Sequence, residues 1–182
     1  MELTGITGIA SRMAEIRSQI AAFRPPATEP AGGAESFRQA LDTTLRTART
    51  AGGVPVELTK YGNGRIPEQA LQRVGTTGHR LWGPAAASLE AMMRAARQQG
   101  VTIGITDSYR PFAEQVDLAR RKGLYANGGL AAKPGTSDHG WGLAVDLDLD
   151  ARAQAWMRQH AGQFGFAETT PREPWHWAYR AK

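Results

Sequence analysis

Residues 136–150, TSDHGWGLAVDLDLD, constrain the fold more tightly than any other stretch of this 182-residue chain. Gly140 and Gly142 bracket Trp141, and the run 143–149 that follows alternates. Side chains in a strand point to opposite faces in turn. Val145, Leu147 and Leu149 therefore share one face, and Ala144, Asp146 and Asp148 share the other. The apolar face requires a core on one side of a sheet. The other face carries carboxylates close in sequence to His139, which sits on a glycine-flanked turn. A carboxylate and an imidazole brought together in this way can form part of a zinc site.

A second stretch, Glu173-Pro174-Trp175-His176-Trp177, lies near the C-terminus. Aromatic residues on both sides of His176 predict a short buried strand. His139, Asp146 and His176 then offer two nitrogens and one oxygen. Three protein ligands with a fourth position open is the pattern of a catalytic zinc, whereas structural sites close with four. Glu173 is left as a general base toward the attacking water. In a straight strand Glu173 and His176 would face opposite ways, so the chain has to bend between them, and Pro174 marks the place. Asp148 is read as support to a ligand in preference to a solvated acid. Taken alone, His139 suits a hydrogen-bonded turn and Asp146 a buried ion pair; only the combined spacing favours metal. His79 and His160 fall outside it and are read as surface or loop histidines.

Ser137-x-His139-x-x-Gly142-x-Ala144-x-Asp146, followed by Glu173-x-x-His176, resembles the zinc-dependent D-alanyl-D-alanine carboxypeptidases of the VanY/VanX-like family. That family also holds L-alanyl-D-glutamate endopeptidases, and the two activities share these motifs. Ser108-Tyr109-Arg110-Pro111, with Gln115 beyond it, resembles the family's substrate-arginine segment. The resemblance covers residues 61–180 and leaves out the N-terminal part. It implies a hedgehog/D,D-peptidase-like α+β fold and one zinc ion held by His139, Asp146 and His176. It also implies catalytic roles for Glu173 and Arg110, and substrate contacts from Ser137, Gln115 and Tyr109. The implied substrate is a peptidoglycan stem peptide, so the implied place of action is the bacterial cell wall, outside the cytoplasm. Arg110 would bind an oxyanion or a substrate carboxylate, because its planar fork suits both, or it forms a structural salt bridge. Ser137 either contacts substrate backbone or steadies the turn that carries His139. Hedgehog-type domains use the same fold for interaction, so the alternative is a non-catalytic wall-binding or interaction protein. A retired enzyme is expected to lose ligands or base, and this sequence keeps them.

Composition narrows the chemistry further. Cysteine is absent, which excludes disulfides and thiolate metal sites and leaves histidine and carboxylate as zinc ligands. The hydrophobic share, 41%, is enough for a core. A net charge of +5 reads first as a soluble basic surface and only second as attraction to a polyanion, either cell-wall polymer or nucleic acid. No nucleic-acid-binding module is recognisable, so no nucleic-acid partner is expected. No run approaches the ~18–20 apolar residues of a membrane span. The N-terminus lacks a basic leader, and Arg12, Glu15 and Arg17 interrupt its apolar residues. It is not a readable secretory signal, which leaves the export route open.

Along the chain, residues 1–55 read as a helical extension and a Pro/Gly linker, and residues 56–182 as the peptidase domain. Ile6, Ile9, Met13, Ile16 and Ile20 line one face of a helix over 1–22, read as docking on its own domain or a neighbour in preference to serving a partner or export machinery. Phe37, Leu41 and Leu45 predict a second helix. Helices are expected from Pro67 to Val74, over 84–99, after Pro111 and over 151–160, with strands over 101–105, 143–149 and 164–168 and at the C-terminus. Glycines 123, 128, 129 and 135 predict a loop over 123–138, able to act as a lid. The order predicts an α+β fold with helices on a small antiparallel sheet.

Overall fold

The computed structural model describes Ser36 and residues 48–180, and the account below concerns the unit Thr44–Lys182. The predicted helices over 1–22 and around Phe37–Leu45 lie outside the described residues. Helix α1 spans Gly83–Gln98, α2 spans Phe112–Lys122 and α3 spans Ala151–His160. The strands are β1 (Gln72–Arg73), β2 (Arg80–Leu81), β3 (Gly104–Asp107), β4 (Ala144–Asp148), β5 (Phe166–Glu168) and β6 (His176–Tyr179). β1 and β2 form a small hairpin of their own. The other four make an antiparallel sheet in the order β3-β4-β6-β5. The fold is α+β, as the sequence predicts.

The helices start and stop where local chemistry dictates. Pro84 occupies the first turn of α1, where its missing N–H costs nothing. Asp150 caps α3 by accepting a hydrogen bond from Ala153 N at 2.7 Å. The segment after Pro67 departs from expectation. Only Glu68–Ala70 turns, as a 3-10 helix, and Gln72–Arg73 then pairs with Arg80–Leu81. A stretch this short cannot repay the cost of nucleating an α-helix, and pairing across a tight turn satisfies its backbone instead.

One face of the sheet is the core. Val145, Leu147, Trp177 and Phe166 are buried against Leu89 and Met92 of α1 and Trp156 and Met157 of α3. Each fully buried large apolar side chain stabilises the fold by about 1.5–3 kcal/mol. This packing fixes the register of β4, because a slip by one residue would turn Asp146 and Asp148 inward. Asp146 is thereby forced to the face away from the core. Trp177 opposes Val145 across the β4–β6 ladder, so His176 stands opposite Asp146 on that same face.

Gly142 closes the turn that enters β4. Its backbone is left-handed, φ 64° and ψ 29°. A Cβ there would lie 2.8 Å from Trp82 N. Both effects oppose any larger residue. Gly142→Ala is expected to lower the unfolding free energy by about 2 kcal/mol or more, read as a reduced urea midpoint at unchanged slope.

Candidate metal centre

Three elements deliver the three metal-type side chains to one place. The 3-10 turn Asp138–Trp141 presents His139, β4 presents Asp146, and the first residue of β6 is His176. His139 Nε2 lies 3.1 Å from His176 Nδ1. His176 Nδ1 lies 3.1 Å from Asp146 Oδ1. His139 Nε2 lies 3.3 Å from the same oxygen. A tetrahedral zinc ion with bonds of about 2.0–2.1 Å holds its ligand atoms roughly 3.3 Å apart. The triangle therefore fits one such ion, and its three residues line one cleft.

Orientation of the rings supports the same fit. The Nδ1–H of His139 donates to the Ser108 carbonyl at 2.7 Å, so the Nε2 lone pair points into the triangle. Ser137 Oγ accepts from His139 N, and Asn63 Nδ2 donates to the Ser137 carbonyl at 2.7 Å, so the turn is held from two sides. Burial pushes the Asp146 carboxyl up, but the adjoining imidazoles of His139 and His176 outweigh it. The net effect holds Asp146 well below the usual carboxylate range, and so ionised, as a ligand must be.

Glu173 precedes the sheet rather than joining it. His176 N donates to the Glu173 carbonyl at 3.0 Å, closing a tight turn through Pro174. This is the bend that the three-residue spacing requires. Just before it, Arg172 has a φ of 68°, an uncommon conformation for a residue with a side chain. The Glu173 carboxylate is buried, 5% exposed, and lines the same cleft as His139, Asp146 and His176. Tyr125 Oη donates to its Oε2 at 2.8 Å. The cleft encloses about 430 Å³ and is also walled by Arg110, Lys122, Ser137 and Trp175.

Arg110 is held on the floor of this cleft. Its Nε donates to Asp107 Oδ2 at 2.9 Å, and its Nη2 donates to the same oxygen. Nη1 donates to Gln115 Oε1 at 2.8 Å, and Nη2 also lies 3.5 Å from Asp146 Oδ2. The sheet explains the arrangement. A bulge between Ile105 and Asp107 places Asp107 beside Asp146 on the neighbouring strand. Like charges in that position repel, and the guanidinium between them offsets the repulsion.

Three expectations need correction in detail. Gln115 is 2% exposed, and both ends of its amide are engaged, with Arg110 Nη1 and with the Ala132 carbonyl. It steadies the arginine and does not line the cleft. Tyr109 faces away from the cleft: its hydroxyl accepts from Ile66 N at 2.8 Å, and its ring packs on the core. Asp148 is exposed at the end of β4 and supports no ligand among the described residues. His79, read as a surface or loop histidine, lies 3.1 Å through Nδ1 from Ser108 Oγ, on the residue whose carbonyl orients His139. Asp107 and Tyr125 are site residues that sequence reasoning missed. Asp107 directly precedes the Ser-Tyr-Arg-Pro segment, which is a usable signal; Tyr125 sits in an unpatterned loop, which is not.

Comparison with known proteins resolves the family. The profile of VanY, D-alanyl-D-alanine carboxypeptidase, matches residues 78–182, more than half of the chain. The chain belongs to the VanY family. A D-alanyl-D-alanine carboxypeptidase of Enterococcus faecalis is 26% identical over 187 residues, covering 85% of this chain and 70% of that protein. Among solved structures, the vancomycin-resistance D,D-pentapeptidase VanY in complex with Zn(II) is 27% identical. It covers 64% of this chain and 83% of its own, at a TM-score of 0.52. VanYB in complex with D-alanine-D-alanine is 26% identical, covering 66% of this chain and 85% of its own, at a TM-score of 0.53. Membership of VanY, together with a His-Asp-His group able to hold a metal ion, makes this chain a metallopeptidase.

Proposed function

We propose that this protein is a zinc D-alanyl-D-alanine carboxypeptidase that releases the terminal D-alanine from peptidoglycan stem peptides. One observation carries the reading: a VanY-family chain holds His139, Asp146 and His176 in a triangle sized for zinc, at a cleft that also contains Glu173. The D-alanyl-D-alanine named for its E. faecalis relative and for the VanYB complex supports the substrate. The cations walling the cleft, Arg110 and Lys122, suit a substrate that ends in a free carboxylate. Residues 56–182 form the catalytic domain in this reading, and residues 1–55 an extension to it. Action lies at the cell wall, outside the cytoplasmic membrane. No helix of the described residues is long and apolar enough to cross a membrane.

His139, Asp146 and His176 would hold the zinc ion. Zinc in such a site polarises a carbonyl and brings the pKa of water from 15.7 to about 7. The residues around it perform the rest. Glu173 accepts the proton of the attacking water and delivers it to the departing amine nitrogen. Arg110 lines the cleft and is fixed by Asp107 and Gln115, so its guanidinium can meet the developing oxyanion without reorganising. Ser137 Oγ accepts from His139 N within the turn, which leaves its hydroxyl hydrogen for a substrate carbonyl. The non-catalytic alternative has nothing comparable in its favour, because the base and all three ligands are present.

The test is digestion of purified stem pentapeptide and of intact peptidoglycan by zinc-loaded protein, with mass analysis of the products. The expected product is the peptide shortened by one alanine. Cleavage at an internal bond would instead assign an endopeptidase. No product from either substrate would end the hydrolytic reading.

A further inference from the structure

The loop after α2 is more ordered than its glycines suggest. Ala131 N donates to the Gly123 carbonyl at 3.0 Å, and Tyr125 N donates to the Ala131 carbonyl at 2.9 Å. Gly129 packs so closely on Gly123 that a Cβ would lie 2.2 Å from the Gly123 carbonyl carbon. The loop is tied to both walls of the cleft. On one side Gln115 Nε2 donates to the Ala132 carbonyl at 2.9 Å while its Oε1 accepts from Arg110. On the other side Arg172 Nη2 donates to the Gly129 carbonyl at 3.3 Å, next to Glu173 in sequence. Between these ties, Tyr125, 39% exposed, lines the cleft and donates its hydroxyl hydrogen to Glu173.

A base at the end of a flexible side chain loses efficiency if its carboxylate can rotate away from the water it serves. Glu173 is buried, and Tyr125 is its side-chain hydrogen-bond partner among the described residues. The bond is made to Oε2 only, which leaves Oε1 for the proton. Burial, and then the hydrogen bond to Glu173, push the Tyr125 phenol above its ordinary range, so the hydroxyl keeps its hydrogen and acts as donor.

We infer that Tyr125 is a positioning residue for the hydrolysis proposed above, holding Glu173 by Oε2 so that Oε1 faces the attacking water. The inference rests on that functional reading and adds a role carried by the loop. Tyr125 acts through Glu173 and not on the substrate, which separates it from an oxyanion donor.

Tyr125→Phe removes the hydroxyl and keeps the ring. Expected are a fall in kcat of roughly 10- to 100-fold, the range of a hydrogen bond to a charged group, and an unchanged KM and zinc content. In a Glu173→Gln background the same substitution is expected to cause no further loss in the residual rate. Three results would overturn the inference: a wild-type kcat for Tyr125→Phe, a loss confined to KM, or an equal loss in the Glu173→Gln background. The last would mean that Tyr125 meets the substrate directly. Wild-type protein that cleaves no stem peptide would remove the functional reading and this inference together, whereas active wild type with an indifferent Tyr125→Phe removes this inference alone.

Discussion

Glu173→Gln keeps a full complement of zinc and loses hydrolysis by roughly 10²- to 10⁴-fold, the range of general acid–base catalysis. The substitution preserves volume and leaves an amide oxygen to accept from Tyr125, so the cleft keeps its shape. What it removes is basicity. Glu173 is not one of the three atoms that form the metal triangle, so zinc retention is expected even though the rate collapses. The position makes the carboxylate costly to keep for any other purpose: it is 5% exposed, and its side chain is paired with a neutral tyrosine instead of a cation. A buried acid without a cationic partner lowers stability unless function retains it. Two measurements on one preparation settle the matter, zinc per chain and rate of D-alanine release. A variant that loses zinc along with activity would make Glu173 part of the metal's own support. A variant with wild-type rate would leave the reaction without its base.

The features that were legible in the sequence are those written in a short period. Alternation over 143–149 states which side of β4 meets the core, and that alone puts Asp146 on the opposite face. Trp177 anchors β6 in the same way and leaves His176 opposite Asp146. The Glu173–His176 spacing stated the need for a bend, which the tight turn through Pro174 supplies. Features that depend on contacts between distant segments were not legible. Ser-Tyr-Arg-Pro gives no sign that Tyr109 turns to hold Ile66, because that partner lies on another loop. Gln115 and Ala132 meet only because α2 and the following loop fold back on each other. Asp148 shares a strand face with Asp146 but lies nearer the end of the sheet, beyond the row formed by Asp107, Asp146 and His176. Period two reports the face of a residue and not its distance from a site. Tyr125 depends on glycine-governed loop geometry, for which the sequence carries no repeat.

Asp146→Ala abolishes zinc binding at micromolar metal and brings hydrolysis to background, a larger loss than removal of the base. The carboxylate is the only anion in the triangle, and it is central to it: Oδ1 faces both imidazoles, at 3.1 Å and 3.3 Å. Without it, two neutral nitrogens remain for a doubly charged ion, with Arg110 nearby and no longer offset on that side. Zinc then has neither the ligand count nor the charge that the site supplies. A readout independent of catalysis comes from mass action, since a ligand that binds only the folded state stabilises it in proportion to the logarithm of its concentration. Wild-type protein is expected to gain Tm steadily as zinc is added after chelation, and Asp146→Ala to gain none. The metal-free variant is expected to stay folded, because Val145 and Leu147 fix β4 from the core side and the deleted carboxylate lies on the other face. A folded Asp146→Ala chain that still gains Tm with zinc would place the ion on other side chains, and the triangle of His139, Asp146 and His176 would then be a hydrogen-bonded cluster with no metal to hold.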